Sequence, residues 1–176
     1  GGMCRARGVW FCVDGIQSLG VQPVDVERCG IDFLAADAHK WLLCVEGIGG
    51  FFVSRRVMKE IDPVNVGWKS VVNRSDYFTY DLRFPESAQK FEEGSLNLCS
   101  LWGLDAALEL ILESGVPAIE RRVMHLLDRL IEGLGERLDE LEAECITPDS
   151  EFLVSQILHL RRDLLTVRRA VWPTRE

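Results

Sequence analysis

Residues 13–43, VDGIQSLGVQPVDVERCGIDFLAADAHKWLL, contain the features that decide the fold of this chain. An apolar run at 9–14 closes on Asp14, and a second run at 31–36 is followed at once by Asp-Ala-His-Lys. Short apolar runs that are rich in Val, Phe and Trp and bounded by glycine predict buried strands. The intervening residues 18–30 leave room for a short crossover, which predicts two parallel strands in one sheet.

Two charged residues follow the predicted strands directly, Asp14 after the first and Lys40 after the second. Because open α/β sheets bind ligands beyond the carboxyl ends of their strands, we expect both side chains to face one pocket. A lysine amine can form a Schiff base with an aldehyde cofactor such as pyridoxal 5′-phosphate (PLP), and a carboxylate can keep the ring nitrogen of that cofactor protonated. The pair therefore indicates PLP chemistry, although many α/β proteins carry Asp and Lys after strands.

Three blocks in order make the assignment more specific: VDGIQSLG at 13–20, DFLAADAHKWLLCVEGIGGFFVSR at 32–55 and FEEGSLN at 91–97. Together they resemble the class V aminotransferase family of fold-type I PLP-dependent enzymes. That family includes cysteine desulfurases, selenocysteine lyases, isopenicillin N epimerase-like proteins and kynureninases. The resemblance extends over residues 5–144.

The resemblance implies roles for five residues. Lys40 is the Schiff-base lysine, and Asp14 is the partner of the ring nitrogen. The amide of Gln17 donates to the phenolate oxygen of the cofactor, and His39 donates to its phosphate. Ser95 stands where the family has a threonine that reaches the phosphate of the other subunit's cofactor, which implies a homodimer with shared sites.

Structural roles stay open for the same residues. Lys40 can be a surface lysine, and Asp14 can cap a turn or a helix. His39 can be structural, and Ser95 can be the N-cap of the next helix. Many relatives have a phosphate-binding serine at the position of Asp37, and because a carboxylate repels phosphate we expect Asp37 to point elsewhere or to bond to backbone.

Composition excludes several other classes of protein. The chain has 176 residues, of which 47% are hydrophobic and 27% charged, and its net charge of −8 argues against a nucleic-acid binder. No run is long and apolar enough to enter a bilayer as a span. The six cysteines are scattered and no residues have metal-ligand spacing, so we expect neither disulfides nor a metal site, and a reducing cytoplasm as the setting.

The expected fold is α/β. Residues 1–115 are predicted to form part of a PLP-binding large domain with a mixed, mainly parallel sheet. A further strand is predicted at 48–54 and a short helix at 55–61, stopped by Asp-Pro. Residues 65–84 have no clean periodicity and predict a long loop that lines the site.

Long helices are expected in the rest of the chain. Apolar spacing predicts a helix at 101–113 and a longer one at 118–145, within a segment 116–146 that leads toward a small domain. A break at 147–150 precedes a basic amphipathic helix at 152–176. That tail resembles a helical segment from the cytoplasmic domain of CorA-type metal-ion transporters, which makes 147–176 a segment of uncertain origin; an ordinary terminal helix is the alternative.

The function that the resemblance implies is a PLP-dependent reaction on amino acids. Transamination, desulfuration, epimerisation and β-elimination share the same core residues, so the reaction stays open. The family's enzymes have a long portion before this region, including the helix that grips the cofactor phosphate, and we expect the 176 residues alone to bind PLP weakly. The alternatives are a non-catalytic fragment and a helical interaction protein with a transporter-like tail.

Overall fold

A computed structural model describes residues 1–144 and 151–171 of the chain. These residues form a three-stranded sheet with helices, which confirms the α/β class. In chain order the elements are helix α1 (Gly2–Ala6), strand β1 (Cys12–Asp14), helix α2 (Val26–Cys29), strands β2 (Phe33–Asp37) and β3 (Gly49–Val53), a 3-10 helix (Ala88–Phe91), and helices α3 (Leu98–Ser114), α4 (Val116–Glu144) and α5 (Glu151–Val171).

The sheet has the order β1-β2-β3 and is mixed. β1 and β2 are parallel, with Asp14 opposite Ala35, whereas β2 and β3 are antiparallel, with Leu34 opposite Phe52. Because β1 and β2 run in the same direction, Asp14 and the end of β2 lie at one end of the sheet, which we call the carboxyl end. The parallel pairing confirms the crossover predicted from the sequence.

The crossover between β1 and β2 contains the single-turn helix α2. Asp25 caps this helix, because its Oδ1 accepts hydrogen bonds from the backbone N–H groups of Glu27 (3.0 Å) and Arg28 (2.9 Å). Gly30 ends it in the left-handed region at φ 64°, which glycine reaches without the steric cost of a side chain. The two signals confine α2 to one turn and return the chain to β2.

Burial alternates along β2, as expected for a strand that has one covered face. Leu34 and Ala36 are buried, whereas Ala35 and Asp37 are exposed. A second group of apolar side chains packs where β3 ends, and it consists of buried Val53, Val57 and Met58 with partly buried Phe33, Ile61 and Phe91.

Asp32 lies just before β2 and is only 2% exposed. Its carboxylate accepts hydrogen bonds from the Phe11 backbone N–H (2.9 Å), the Ser54 hydroxyl (3.3 Å) and the Arg56 guanidinium (2.5 Å). Burial by itself raises the pKa of a carboxyl group, but these donors outweigh it and hold the pKa of Asp32 below its ordinary value of 3.8. Asp32 thereby joins the residue before β1 to the turn after β3.

Strand β1 and the segment after β3 differ from the sequence prediction, and β2 spans Phe33–Asp37 rather than residues 31–36. β1 begins at Cys12 rather than at residue 9, because the Phe11 carbonyl accepts from the N–H groups of Asp32 and Phe33 at the edge of the ladder. The helix predicted at 55–61 is wrong, since these residues form turns. The Val57 and Met58 N–H groups both donate to the Ser54 carbonyl, at 3.2 and 3.1 Å, and the Glu60 N–H donates to the Val57 carbonyl at 2.9 Å, so the segment consists of short turns. The buried Lys90 ammonium binds the carbonyls at positions 58 and 61 at the end of these turns.

The predicted long loop is confirmed, because residues 65–84 contain neither helix nor strand. Helix α3 begins at Leu98, earlier than residue 101, since the Asn97 side chain caps it by accepting from the Ser100 N–H at 3.2 Å. α4 matches the predicted long helix closely. The predicted break at 147–150 and the last residues of the tail lie outside the described residues.

The chain divides into two compact units, residues 1–120 and 121–176. The first contains the sheet and α3, and the second contains most of α4 together with α5. Along α5 the half-buried residues recur every three or four positions, as expected of an amphipathic helix, at Ile157, Leu160, Leu164 and Val167. None of the described helices has both the length and the apolar composition that crossing a membrane requires.

Candidate active site

Asp14 is the last residue of β1 and stands at the carboxyl end of the sheet. Its strand partner is Ala35, and the following Gly15 N–H donates to the Ala35 carbonyl at 2.8 Å. The Asp14 side chain is exposed, and one of its oxygens accepts from the Ile16 N–H at 3.0 Å. That bond is the turn-aspartate role left open by the sequence, and it leaves the second carboxylate oxygen free for a ligand.

Gln17 lies in the tight turn that follows Asp14. The Ser18 N–H donates to the Gly15 carbonyl at 3.0 Å, which reverses the chain directly after β1. Gly15 is buried, and a Cβ at this position would lie 3.3 Å from the Leu34 side chain, so the turn packs closely on β2. The Gln17 side chain is exposed at this turn, three residues beyond Asp14.

Lys40 lies in a closed loop that follows β2. Ala38 is fully buried, its N–H donates to the Ile48 carbonyl and its carbonyl accepts from the Cys44 N–H, each at 2.9 Å. These two bonds close the ends of the loop, and Lys40 projects from it as an exposed side chain. Within the part of the chain that the structure describes, the Lys40 amine has neither a hydrogen-bond nor an ion-pair partner.

The turn after Asp14 and the Lys40 loop are in direct contact. Gly20 has φ 94°, and a Cβ there would lie only 2.3 Å from the Trp41 carbonyl oxygen. Only glycine allows the backbone of the turn to approach the residue after Lys40 so closely. The fold therefore brings together the two segments that the sequence assigned to one site.

His39 and Asp37 face each other beside Lys40. The His39 Nδ1 lies 3.7 Å from an Asp37 carboxylate oxygen, and both side chains are partly open to solvent. Asp37 therefore turns toward the neighbouring histidine, and the expectation that it does not take the place of a phosphate-binding serine stays a prediction. A carboxylate near Nδ1 favours the tautomer that carries its proton there, which leaves Nε2 as an acceptor when the ring is neutral and as a donor when it is protonated.

The third block, residues 91–97, contacts the Lys40 loop from the other side. The Cys44 thiol lies 3.5 Å from the Ser100 carbonyl at the start of α3, and a Cβ on Gly47 would lie 3.7 Å from the Asn97 amide. Ser95 is exposed in this block. The N-cap of α3 is Asn97 rather than Ser95, so the capping alternative for Ser95 does not hold and its hydroxyl is free of that bond.

Sequence reasoning missed three buried polar residues that hold these segments: Asp32, Ser70 and Lys90. Each has at least one partner 20 or more residues away in the chain, and that contact has no local sequence pattern. The one sequence signal available was a polar residue inside an apolar run, as for Asp32 between Ile31 and Phe33. Within residues 1–144 and 151–171, no three His, Cys, Asp or Glu side chains are grouped to hold a metal ion.

Comparison with known proteins gives the same assignment over most of the chain. The model of the family described as aminotransferase class-V matches residues 1–151. A probable cysteine desulfurase of Pyrococcus abyssi (strain GE5 / Orsay) is 32% identical over 142 residues, which cover 81% of this chain and 34% of that protein. Isopenicillin N epimerase of Streptomyces clavuligerus is 29% identical over 181 residues, which cover 96% of this chain and 44% of that protein.

Solved structures of related enzymes share the fold. The apo cysteine desulfurase of Thermococcus onnurineus NA1 has a TM-score of 0.65 at 30% identity. The match covers 80% of this chain and 34% of the desulfurase chain. A lysine-to-alanine variant of C-DES with glycine covalently linked to its PLP cofactor has a TM-score of 0.62 at 31% identity. The match covers 76% of this chain and 33% of the C-DES chain. In these comparisons the chain spans about a third of the length of the cysteine desulfurases that it matches.

The match to the family model ends at residue 151, where α5 begins, whereas the alignment with isopenicillin N epimerase covers 96% of the chain and so extends into α5. The transporter-like resemblance of residues 152–176 stays a prediction. Before that point the matched region contains the sheet, the Asp14 turn, the Lys40 loop and the 91–97 block. The agreement between the family match and the clustering of these segments leads to one conclusion: the chain belongs to the class V aminotransferase family.

Proposed function

We propose that this chain carries the lysine-bearing part of a PLP-dependent enzyme that acts on amino acids, with Lys40 as the residue that binds the cofactor covalently. The observation that supports this most strongly is the contact between Gly20 and Trp41, which joins the Asp14 turn to the Lys40 loop. An amine and a carboxylate on neighbouring segments at the carboxyl end of a sheet are the minimum that PLP chemistry asks of a protein.

The donor set of the site suits PLP. The Lys40 amine is exposed and has no partner among the described residues, so it is available to an aldehyde. Asp14 has a free carboxylate oxygen for a protonated ring nitrogen. The Gln17 amide, the His39 ring and the Ser95 hydroxyl are all exposed and supply neutral or cationic donors for the oxygens of the cofactor.

When bound, PLP withdraws electrons from the α-carbon of the substrate. Lys40 would hold the cofactor through its amine and would move the proton at the substrate α-carbon as general base and acid. Asp14 keeps the ring nitrogen protonated, because its negative charge favours the cationic form. Gln17 donates to the phenolate oxygen, and His39 binds the phosphate.

The proposed role of Ser95 requires two copies of the chain. We place its hydroxyl on the cofactor phosphate of a second copy, so the active form is a homodimer with shared sites. The substrate is an amino acid, as cysteine is for the cysteine desulfurase relatives, and the setting is the cytoplasm. The free thiols of the five described cysteines, which are Cys4, Cys12, Cys29, Cys44 and Cys99, are compatible with that reducing compartment.

The test is to incubate the chain with PLP, reduce the mixture with borohydride and locate the adduct by peptide mass spectrometry. We expect one dominant adduct on Lys40 and its complete loss in Lys40→Ala, because no other amine lies in the Lys40 loop. Lys59→Ala is the matched control, since Lys59 is an exposed lysine that pairs with Glu86 at 3.2 Å, away from the loop. An adduct retained on Lys59 or Lys69 in the Lys40→Ala variant contradicts the proposal.

A further inference from the structure

Ser70 is a fully buried serine that holds the backbone of the block that contains Ser95. Its exposure is 0%. The Ser70 hydroxyl donates to the Glu92 carbonyl at 2.9 Å and accepts from the Gly67 N–H at 3.2 Å. The Ser70 N–H in turn donates to the Gly67 carbonyl at 3.0 Å, which closes residues 67–70 into a turn. We call this segment the 67–70 turn.

The backbone of the 67–70 turn is in close contact with the backbone of Glu93. A Cβ on Gly67 would lie 1.8 Å from the Glu93 carbonyl oxygen, so no other residue fits at this position without moving one of the two segments. The Lys69 N–H also points to the Glu93 carbonyl, at 3.4 Å. The 67–70 turn therefore binds the carbonyls of Glu92 and Glu93, the two residues before Gly94.

Further contacts hold the same block on either side of Ser95. A Cβ on Gly94 would lie 3.6 Å from the Trp68 indole nitrogen, which places the Trp68 ring beside the residue before Ser95. Upstream, the buried Lys90 ammonium donates to the Met58 carbonyl at 2.7 Å. Downstream, Asn97 caps α3. Ser95 itself is exposed and has no partner among the described residues, so the backbone around it sets the position of its Cβ and thereby the reach of its hydroxyl.

We propose that Ser70 is a positioning residue for Ser95: its buried hydroxyl fixes the Glu92 carbonyl and so aims the Ser95 hydroxyl at the phosphate of the cofactor. The inference rests on the proposed function, because it takes the phosphate as the ligand of Ser95. It adds a residue that touches neither cofactor nor substrate. Removing the hydroxyl leaves the partly buried Glu92 carbonyl and Gly67 N–H without their partner, and this cost loosens the block.

The first experiment measures amide hydrogen exchange in the 176-residue chain without cofactor. In Ser70→Ala we expect exchange at 91–97 to accelerate between about fivefold and about a hundredfold, while exchange at 33–37 in β2 stays the same. Ser75→Ala is the matched control, because Ser75 is an exposed serine of the neighbouring loop that makes no bond within the described residues. Unchanged exchange at 91–97, or an equal increase in β2, overturns the positioning role.

The second experiment compares the yield of the reduced Lys40 adduct with PLP and with pyridoxal, which has the same aldehyde and no phosphate. Ser70→Ala should lower the preference for PLP as Ser95→Ala does, and it should have no further effect in the Ser70→Ala/Ser95→Ala double variant. Ser70→Thr keeps the hydroxyl but adds a methyl group to a fully buried position, so it should lose stability and keep the preference.

The outcomes separate the two proposals. An equal loss of both adducts in Ser70→Ala, or additive losses in the double variant, assigns Ser70 a merely structural role and overturns the inference alone. The absence of any Lys40 adduct in the unsubstituted chain overturns the proposed function and the inference that rests on it. A preference for PLP that is lost with Ser70→Ala and kept with Ser70→Thr supports both.

Discussion

The two ends of strand β2 carry charged residues in opposite states. At its amino end, Asp32 is 2% exposed and its carboxylate accepts three hydrogen bonds from protein donors. At the carboxyl end of the sheet, Asp14 and Lys40 are exposed, with one backbone bond on Asp14 and no partner for the Lys40 amine among the described residues. One end is saturated from within the chain and the other is left open.

The difference distinguishes structural from functional charges without reference to any relative. A buried carboxylate is stable only if its hydrogen-bond acceptors are filled, and Asp32 meets that requirement through the Phe11 N–H, Ser54 and Arg56. Charged groups that bind a ligand must keep hydrogen-bonding atoms free of protein partners. At the open end, one Asp14 oxygen and the Lys40 amine are free in this way among the described residues. Substitutions at the two ends should therefore affect different properties.

The largest expected effect on stability is that of Asp32→Ala. The change leaves the Phe11 N–H and Ser54 hydroxyl without an acceptor in a buried place, and we expect the free energy of unfolding to fall by about 2–4 kcal/mol. The Arg56 side chain is 44% exposed and can return to water, which keeps the loss below that of a fully buried pair. Urea unfolding at neutral pH measures it.

Asp14→Ala is the control for that comparison. Because the Asp14 carboxylate is exposed, its removal should change the free energy of unfolding by no more than about 0.5 kcal/mol. If the two substitutions cost the same, the contrast between the closed and the open end of β2 is wrong.

Gly20→Ala should have the next largest effect, and it acts at the open end. The added Cβ meets the Trp41 carbonyl oxygen at 2.3 Å, and the residue must also hold φ 94°. We expect a loss of about 1–3 kcal/mol in the free energy of unfolding, together with a lower yield of the Lys40 adduct because the Asp14 turn and the Lys40 loop are pushed apart.

Gly50→Ala provides the matched control for Gly20→Ala. A Cβ at position 50 meets no atom within 4 Å, so this glycine can be replaced without a clash. An unchanged adduct yield in Gly20→Ala would show that the contact between the two segments is not needed for the site.

The smallest expected effect is a change in the acid sensitivity of the fold. Because the pKa of Asp32 in the folded chain lies below its ordinary value, its charge stabilises the fold above that value, and this stabilisation is lost as the pH falls through the folded pKa. Asp32→Asn should therefore flatten the fall in unfolding free energy between about pH 5 and about pH 2. Urea unfolding at several pH values measures the slope.

Asp81→Asn is the comparison for the pH experiment. The Arg83 side chain holds the pKa of Asp81 below its ordinary value too, but this pair is more open to solvent, since Arg83 is 79% and Asp81 19% exposed. Solvent screens such a pair, so its removal should alter the slope less than Asp32→Asn does. The reverse order would show that the buried network at Asp32 is not the main source of acid sensitivity.

Local features of the sequence predicted much of this fold. The strand endings, the parallel crossover and the long loop at 65–84 followed from apolar runs and turn residues, which depend on neighbours only a few positions apart. The turns at 55–61 were predicted as a helix, because over so few residues the local pattern of apolar side chains does not distinguish consecutive turns from a short helix. The roles of the site residues stay proposals.

The sequence by itself determined the parallel strand pair and the family, because three blocks of residue types stand in the required order. Only the tertiary structure decided which aspartate is buried and hydrogen-bonded and which is exposed to solvent. Asp14 and Asp32 both flank short apolar runs and look alike as letters. They differ because strand register and the turn after β3 bring Ser54 and Arg56, 22 and 24 positions away, onto Asp32, whereas the turn at Gly15 directs the chain past Asp14 and leaves its carboxylate in solvent.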